Sequence, residues 1–155
     1  DLDISIAFYE ALGFELLIPG IPYLGLDAKI ASAMPEATAN ALAVPPGTMG
    51  RACIMQLSKG LPKLDLTEFS SSAPRQPLRN QDLGIVRLCL ATQDLNAHFA
   101  RLTAIGVEFV APPAECIERM ADIAVCKDPD GTLIELLQVH LDRWPSAPKP
   151  AKPTT

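Results

Sequence analysis

The chain has 155 residues, 48% of them hydrophobic, with 13 Lys and Arg against 18 Asp and Glu, for a net charge of −5. That length and apolar content specify one compact domain or two small modules with a real core. The acidic balance and the lack of any Lys/Arg cluster exclude a nucleic-acid partner, and no apolar run is long enough to span a membrane or to form a signal-peptide core, which excludes a membrane partner too. The four cysteines, Cys53, Cys89, Cys116 and Cys126, show no CxxC spacing, and three lie in apolar runs, so free thiols in a reducing cytoplasm are expected rather than disulfides or zinc.

In chain order, Asp1 to Leu12 predicts an amphipathic helix capped by Asp1 or Asp3, with Ile4, Ala7, Phe8, Ala11 and Leu12 as its apolar stripe and Gly13 as its stop. A strand is expected over Phe14 to Leu17. Residues 18–50 read as a long loop; Pro22, Pro35, Pro45 and Pro46 interrupt it, one short strand or turn is expected near Tyr23 to Leu26, and a role as a lid is expected. Arg51 to Phe69 reads as a hairpin that closes a first module, 1–69, of αβββ pattern. Residues 70–83 are polar and proline-containing, a linker.

The second module, 84–141, reads βαβββ: a strand over Gly84 to Thr92, a helix from Asp94 to Ile105 stopped by Gly106, a strand over Val107 to Val110, and a closing hairpin over Ile117 to Val139 that turns at Asp128-Pro129-Asp130-Gly131. The DPDG turn is structural. Residues 142–155 are too proline-rich and polar to pack, and a disordered tail is expected. The fold class is therefore α+β with mixed sheets.

The two modules are copies. DLDISIAFYEALGFELL (Asp1 to Leu17) aligns without a gap on DLNAHFARLTAIGVEFV (Asp94 to Val110), matching Asp1 with Asp94, Leu2 with Leu95, Gly13 with Gly106 and Glu15 with Glu108. Each module closes on a run carrying one acid among hydrophobics, Asp65 in LDLTEF and Glu135 in IELLQV. The strand before Asp94 has no counterpart before Asp1, so either residues upstream or another chain is expected to supply the pairing. Facing modules build a shared cavity suited to a small molecule.

Those segments, together with DPDGTLIELLQ at Asp128 to Gln138, resemble the vicinal oxygen chelate superfamily, which includes glyoxalase I, bleomycin-resistance proteins and extradiol dioxygenases. The resemblance implies two βαβββ modules curling around a cavity in which some members hold a divalent metal. It places the family's final metal ligand on Glu135 and the ligand that ends the first module on Asp65. The His that opens the second module falls on Arg87. A guanidinium has no lone pair to give a metal. The expectation is thus that Arg87 stands between Asp65 and Glu135 as a fixed cation, and that no cofactor is held; a divalent metal on Asp65 and Glu135 is the alternative.

Cys89 shares a strand face with Arg87, and Met55 is a candidate pocket wall; with Arg87 and Asp65 they form the expected ligand-binding set. His98 reads as a surface residue, and His140 is assigned no role. Two functions follow: a cytoplasmic, homodimeric protein that holds a small organic molecule unchanged, or a glyoxalase-type lyase, isomerase or epimerase with Glu135 as the catalytic base. A third reading is assembly through the open sheet edge.

Overall fold

A computed structural model describes residues 1–58, 60–71 and 76–145. The chain is α+β and forms two compact units: Asp1–Pro77 with Asp128–Gly131, and Leu78–Lys127 with the chain from Thr132 onward. The turn Asp128–Gly131, expected in the second module, thus belongs to the first unit.

In the first unit, helix α1 (Leu2–Ala11) starts at Asp1, whose carboxylate accepts from the N–H groups of Asp3 and Ile4, and the chain leaves it through Gly13 at φ +98°. Its buried stripe is Leu2, Ser5, Tyr9 and Leu12, one residue rotated from the predicted one; Ile4 is 58% exposed. Polar partners set the rotation. Leu2 N–H donates to Glu68, Asp3 pairs with Arg51 at 3.0 Å, and the Tyr9 hydroxyl donates to Asp128 at 3.0 Å.

The first sheet is built on β5 (Met49–Leu57). On one side lies β6 (Lys63–Phe69); on the other lie β1 (Phe14–Ile18) and β4 (Ser32–Ala33), and every pairing is antiparallel. The register of β1 shifts between Leu16, opposite Met55, and Ile18, opposite Ile54. Alternation along β5 places Arg51, Cys53, Met55 and Leu57 on the side that carries α1, and Ala52, Ile54 and Gln56 on the other.

The segment read as a long loop is a packed layer instead. It contains a two-stranded hairpin, β2 (Gly20–Ile21) with β3 (Leu26–Asp27), then β4 and helix α2 (Glu36–Ala41). Ile21, Leu26, Met34 and Ala39 bury against Ala52, with Leu24, Val44, Ile54 and Phe69 around them. Gly25 takes φ +69°, and a Cβ there would sit 2.8 Å from the Pro35 ring, so Pro35, which looked like a breaker, is a packing partner.

In the second unit the sheet order is β7-β10-β9-β8: β7 (Arg87–Ala91), β10 (Leu133–Val139), β9 (Ala121–Lys127) and β8 (Ala114–Glu115). This sheet is mixed, with β7 parallel to β10 and the remaining pairs antiparallel. Gly84 to Val86 lie outside the strand predicted for them, and Ile85 is 88% exposed. The strand predicted over Val107 to Val110 reduces to a bridge between Phe109 and Cys126.

Helix α3 (Leu95–Ala104) is capped by Asp94, which accepts from Ala97 N–H, and Gly106 follows at φ +90°. The aligned Asp1/Asp94 and Gly13/Gly106 pairs therefore do the same local work in both units. Leu95 and Leu102 bury with Leu90, Ala124, Cys126, Ile134 and Leu136 on one face of the sheet, and Leu95 N–H donates to Gln138 at 2.8 Å. Arg143 and Trp144, read as tail, fold back: they donate to the carbonyls of Arg119 and Met120 at 3.0 Å each. The remainder of that tail, 146–155, lies outside the described residues.

Candidate functional site

Strand register fixes which side chains share the face of the second sheet opposite α3. Arg87 pairs with Leu133 across the parallel β7–β10 ladder, and Cys89 pairs with Glu135. On the far side of β10, Glu135 meets Val125 and Leu137 meets Ile123. The face therefore carries Arg87, Leu133 and Lys127 in one row, Cys89, Glu135 and Val125 in the next, and Leu137 and Ile123 beyond.

Arg87 donates through Nε to Glu135 in a short charge-assisted contact, and through Nη1 to Asn80 Oδ1 at 2.8 Å. The Glu135 side chain is 14% exposed and the Arg87 side chain 43%. Burial of this acid inside an apolar strand is tolerated because a cation meets it.

Asn80 comes from the stretch read as a linker. It sits in a turn closed on itself: Arg79 N–H donates to Asp82 at 2.7 Å, Asp82 N–H donates to the Arg79 carbonyl at 3.0 Å, and the Arg79 guanidinium bonds the same carboxylate. These bonds, the side-chain one first, hold the Asp82 carboxyl below its usual range.

Asp65 lies on the first sheet directly opposite Ile54, on the face away from α1. Its carboxylate accepts from the Tyr23 hydroxyl at 2.6 Å, and that bond raises the phenol above its ordinary value. Each of the two predicted acids thus has its own donor, Tyr23 for Asp65 and Arg87 for Glu135. Tyr23 comes from the first unit's packed layer, and sequence reading gave it no role.

Met55 is a correction. It is 0% exposed and lies on the α1 side of β5, opposite Leu64, so it is core and cannot line a ligand face. Alternation along β5 decided this: Met55 is one residue out of phase with Ile54. Cys89 is exposed on the face of Arg87, and its thiol is raised by burial first and by the Glu135 charge second, so it stays protonated at neutral pH. Cys53, fully buried, is pushed up to about 11, chiefly by burial.

His98 is half-buried, with Nδ1 2.9 Å from the Thr92 hydroxyl. His140 pairs with Asp122 at 2.9 Å, a structural link from the end of β10 to β9. The four cysteines are free. Among the described residues, no three of His, Cys, Asp and Glu converge on a point where a metal could be held, and no helix is long and apolar enough to cross a membrane. The metal alternative does not fit these side chains: the Glu135 carboxylate is engaged by a guanidinium, and the residue at the place of the expected His has no lone pair.

A βαβββ unit with an acid on its last strand defines a class of duplicated α+β proteins. The profile of the Glyoxalase/Bleomycin resistance protein/Dioxygenase superfamily matches residues 1–136, and the chain belongs to that superfamily. Among solved structures, it is similar to a glyoxalase family protein from Bacillus cereus, at 19% identity over 90% of this chain and 87% of that one, with a TM-score of 0.70. It is also similar to glyoxalase I from Zea mays, at 18% identity over 89% of this chain but 41% of that one, with a TM-score of 0.61. A bleomycin resistance determinant encoded on the transposon Tn5 is similar at 23% identity over 91% of both chains, with a TM-score of 0.51. At these identities the likeness is one of fold. No protein of curated function matches the chain.

Proposed function

We propose that this protein holds a small organic molecule against the face of its second sheet that carries Arg87 and Glu135, without a metal and without transforming it, as a dimer in the cytoplasm. One observation carries the reading: the acid at the family's last ligand position, Glu135, is already neutralised by Arg87. A carboxylate so engaged is a poor metal ligand, and a guanidinium supplies the positive charge that an ion would supply. The likeness in fold to a bleomycin resistance determinant supports this reading. The apolar surroundings of the pair, Val125, Ile123 and Leu137, suit an organic ligand.

The test is a thermal-shift screen of aromatic compounds with and without a chelator. Stabilisation that grows with ligand concentration and ignores the chelator supports the reading. Tight stoichiometric nickel or zinc binding that is lost in Glu135→Gln, or metal-dependent turnover of a hemithioacetal, overturns it in favour of a lyase or isomerase. A monomeric mass at micromolar concentration removes the dimer.

A further inference from the structure

Resting on that ligand-holding reading, we propose that Arg87 docks an oxygen acceptor of the ligand, and that the ligand is an apolar or aromatic body bearing a carboxylate or carbonyl oxygen. A guanidinium has five N–H donors in a rigid planar fork. In Arg87, Nε is committed to Glu135 and Nη1 to Asn80. Among the described residues, Nη2 donates to nothing. Anchors at two corners of the fork fix its plane and leave the Nη2 donors for a ligand.

Both anchors are themselves fixed. Glu135 is held in the middle of β10 with β7 on one side and β9 on the other. Asn80 is carried on the self-bonded Arg79–Asp82 turn. A donor edge whose orientation is set before the ligand arrives loses little freedom on binding. The floor beside it is mostly apolar, because Leu133, Val125, Ile123 and Leu137 share the face, and Lys127, a further cation in the row of Arg87, is paired with Glu108. Arg87 is 43% exposed, so the edge is reachable. Asn80 is a positioning residue; Arg87 is the contact.

The experiment is calorimetry with four indole probes of one shape: indole-3-acetate, indole-3-acetamide, 3-methylindole and tryptamine. The expected result is that the acid and the amide bind about tenfold more tightly than 3-methylindole, the size of one hydrogen bond to a charged group, with tryptamine weakest. Arg87→Lys keeps the charge but loses the fork, and the preference falls below about threefold. Asn80→Ala weakens the acid and the amide but leaves 3-methylindole unchanged, which a merely structural role would not do.

Binding of 3-methylindole as tight as that of the acid and the amide overturns the docking inference and leaves the ligand-holding reading standing. A preference for tryptamine, or an Arg87→Lys variant that matches the parent, also overturns it. Failure of all four probes removes the inference and the reading together. The comparison among probes uses the unmodified chain, so it holds even if a variant fails to fold.

Discussion

The two units share a plan and differ in what covers it. In the second, β10 is flanked by β9 and β7, one face of the sheet is buried by α3, and the other carries the Arg87–Glu135 pair. In the first, β6 pairs with β5 alone among the described strands, and β5 is covered on both faces, by α1 on one and by the Ile21–Ala39 layer on the other. In the first unit the chain itself covers both faces of the central strand; in the second, one face of the central strand carries an ion pair instead. A repeat in sequence thus sets a common frame, and the segment between β1 and β5 adds a covering layer to the first unit.

The largest test of this contrast is a pair of truncations. Ile21→Ala, at a fully buried site in the covering layer, should cost about 2–4 kcal/mol in denaturant unfolding, whereas Val125→Ala, at a half-buried site on the Arg87 face, should cost under about 1 kcal/mol. Equal costs would mean the two faces are covered alike.

Next is Gly131→Ala. The residue sits at φ +85°, and an added Cβ would lie 2.3 Å from the Pro77 ring, so a loss of about 2 kcal/mol or more is expected in the same assay. An unchanged midpoint would show that the Asp128–Gly131 turn is not seated in the first unit.

Acid sensitivity comes third. Glu68 is held below the ordinary carboxylate range by the Arg51 side chain first and by Leu2 N–H second. Its folded pKa lies below its unfolded one, so its contribution is complete above the unfolded value and is lost as pH falls through the folded one. Glu68→Gln should cost about 1 kcal/mol at neutral pH, and its melting curve should decline less than the parent's as the pH drops below about 4.

The smallest effect is expected of Tyr9→Phe. Loss of the hydroxyl bond to Asp128 should cost about 1 kcal/mol or less with the fold retained, read as a melting shift of a few degrees.

Much of the frame was legible in the chain because it rests on local rules. Asp1 and Asp94 cap helices, Gly13 and Gly106 end them, and apolar runs around a glycine-bearing turn form hairpins; none of these needs a distant partner. What misled were positions whose side depends on a neighbour. Met55 and Ile54 are equally apolar, and only the β5 register shows that one faces α1 and the other does not. The α1 stripe missed by one residue because Arg51, Glu68 and Asp128 choose the helix rotation. The proline-broken stretch looked loose, yet Pro35 packs on Gly25.

By itself, then, the sequence determined the duplication, the α+β class, the helix ends and the presence of an arginine where the family resemblance expects a histidine, since these follow from periodicity, capping and residue chemistry. Only the tertiary structure decided that Glu135 meets Arg87, that Asn80 holds the guanidinium's other corner, and that Tyr23 meets Asp65. The Glu135–Arg87 and Tyr23–Asp65 contacts join residues 48 and 42 positions apart, and a partner at that distance is set by strand register and packing; Asn80 is only seven residues from Arg87, but its seat depends on the Arg79–Asp82 turn, which no local pattern revealed.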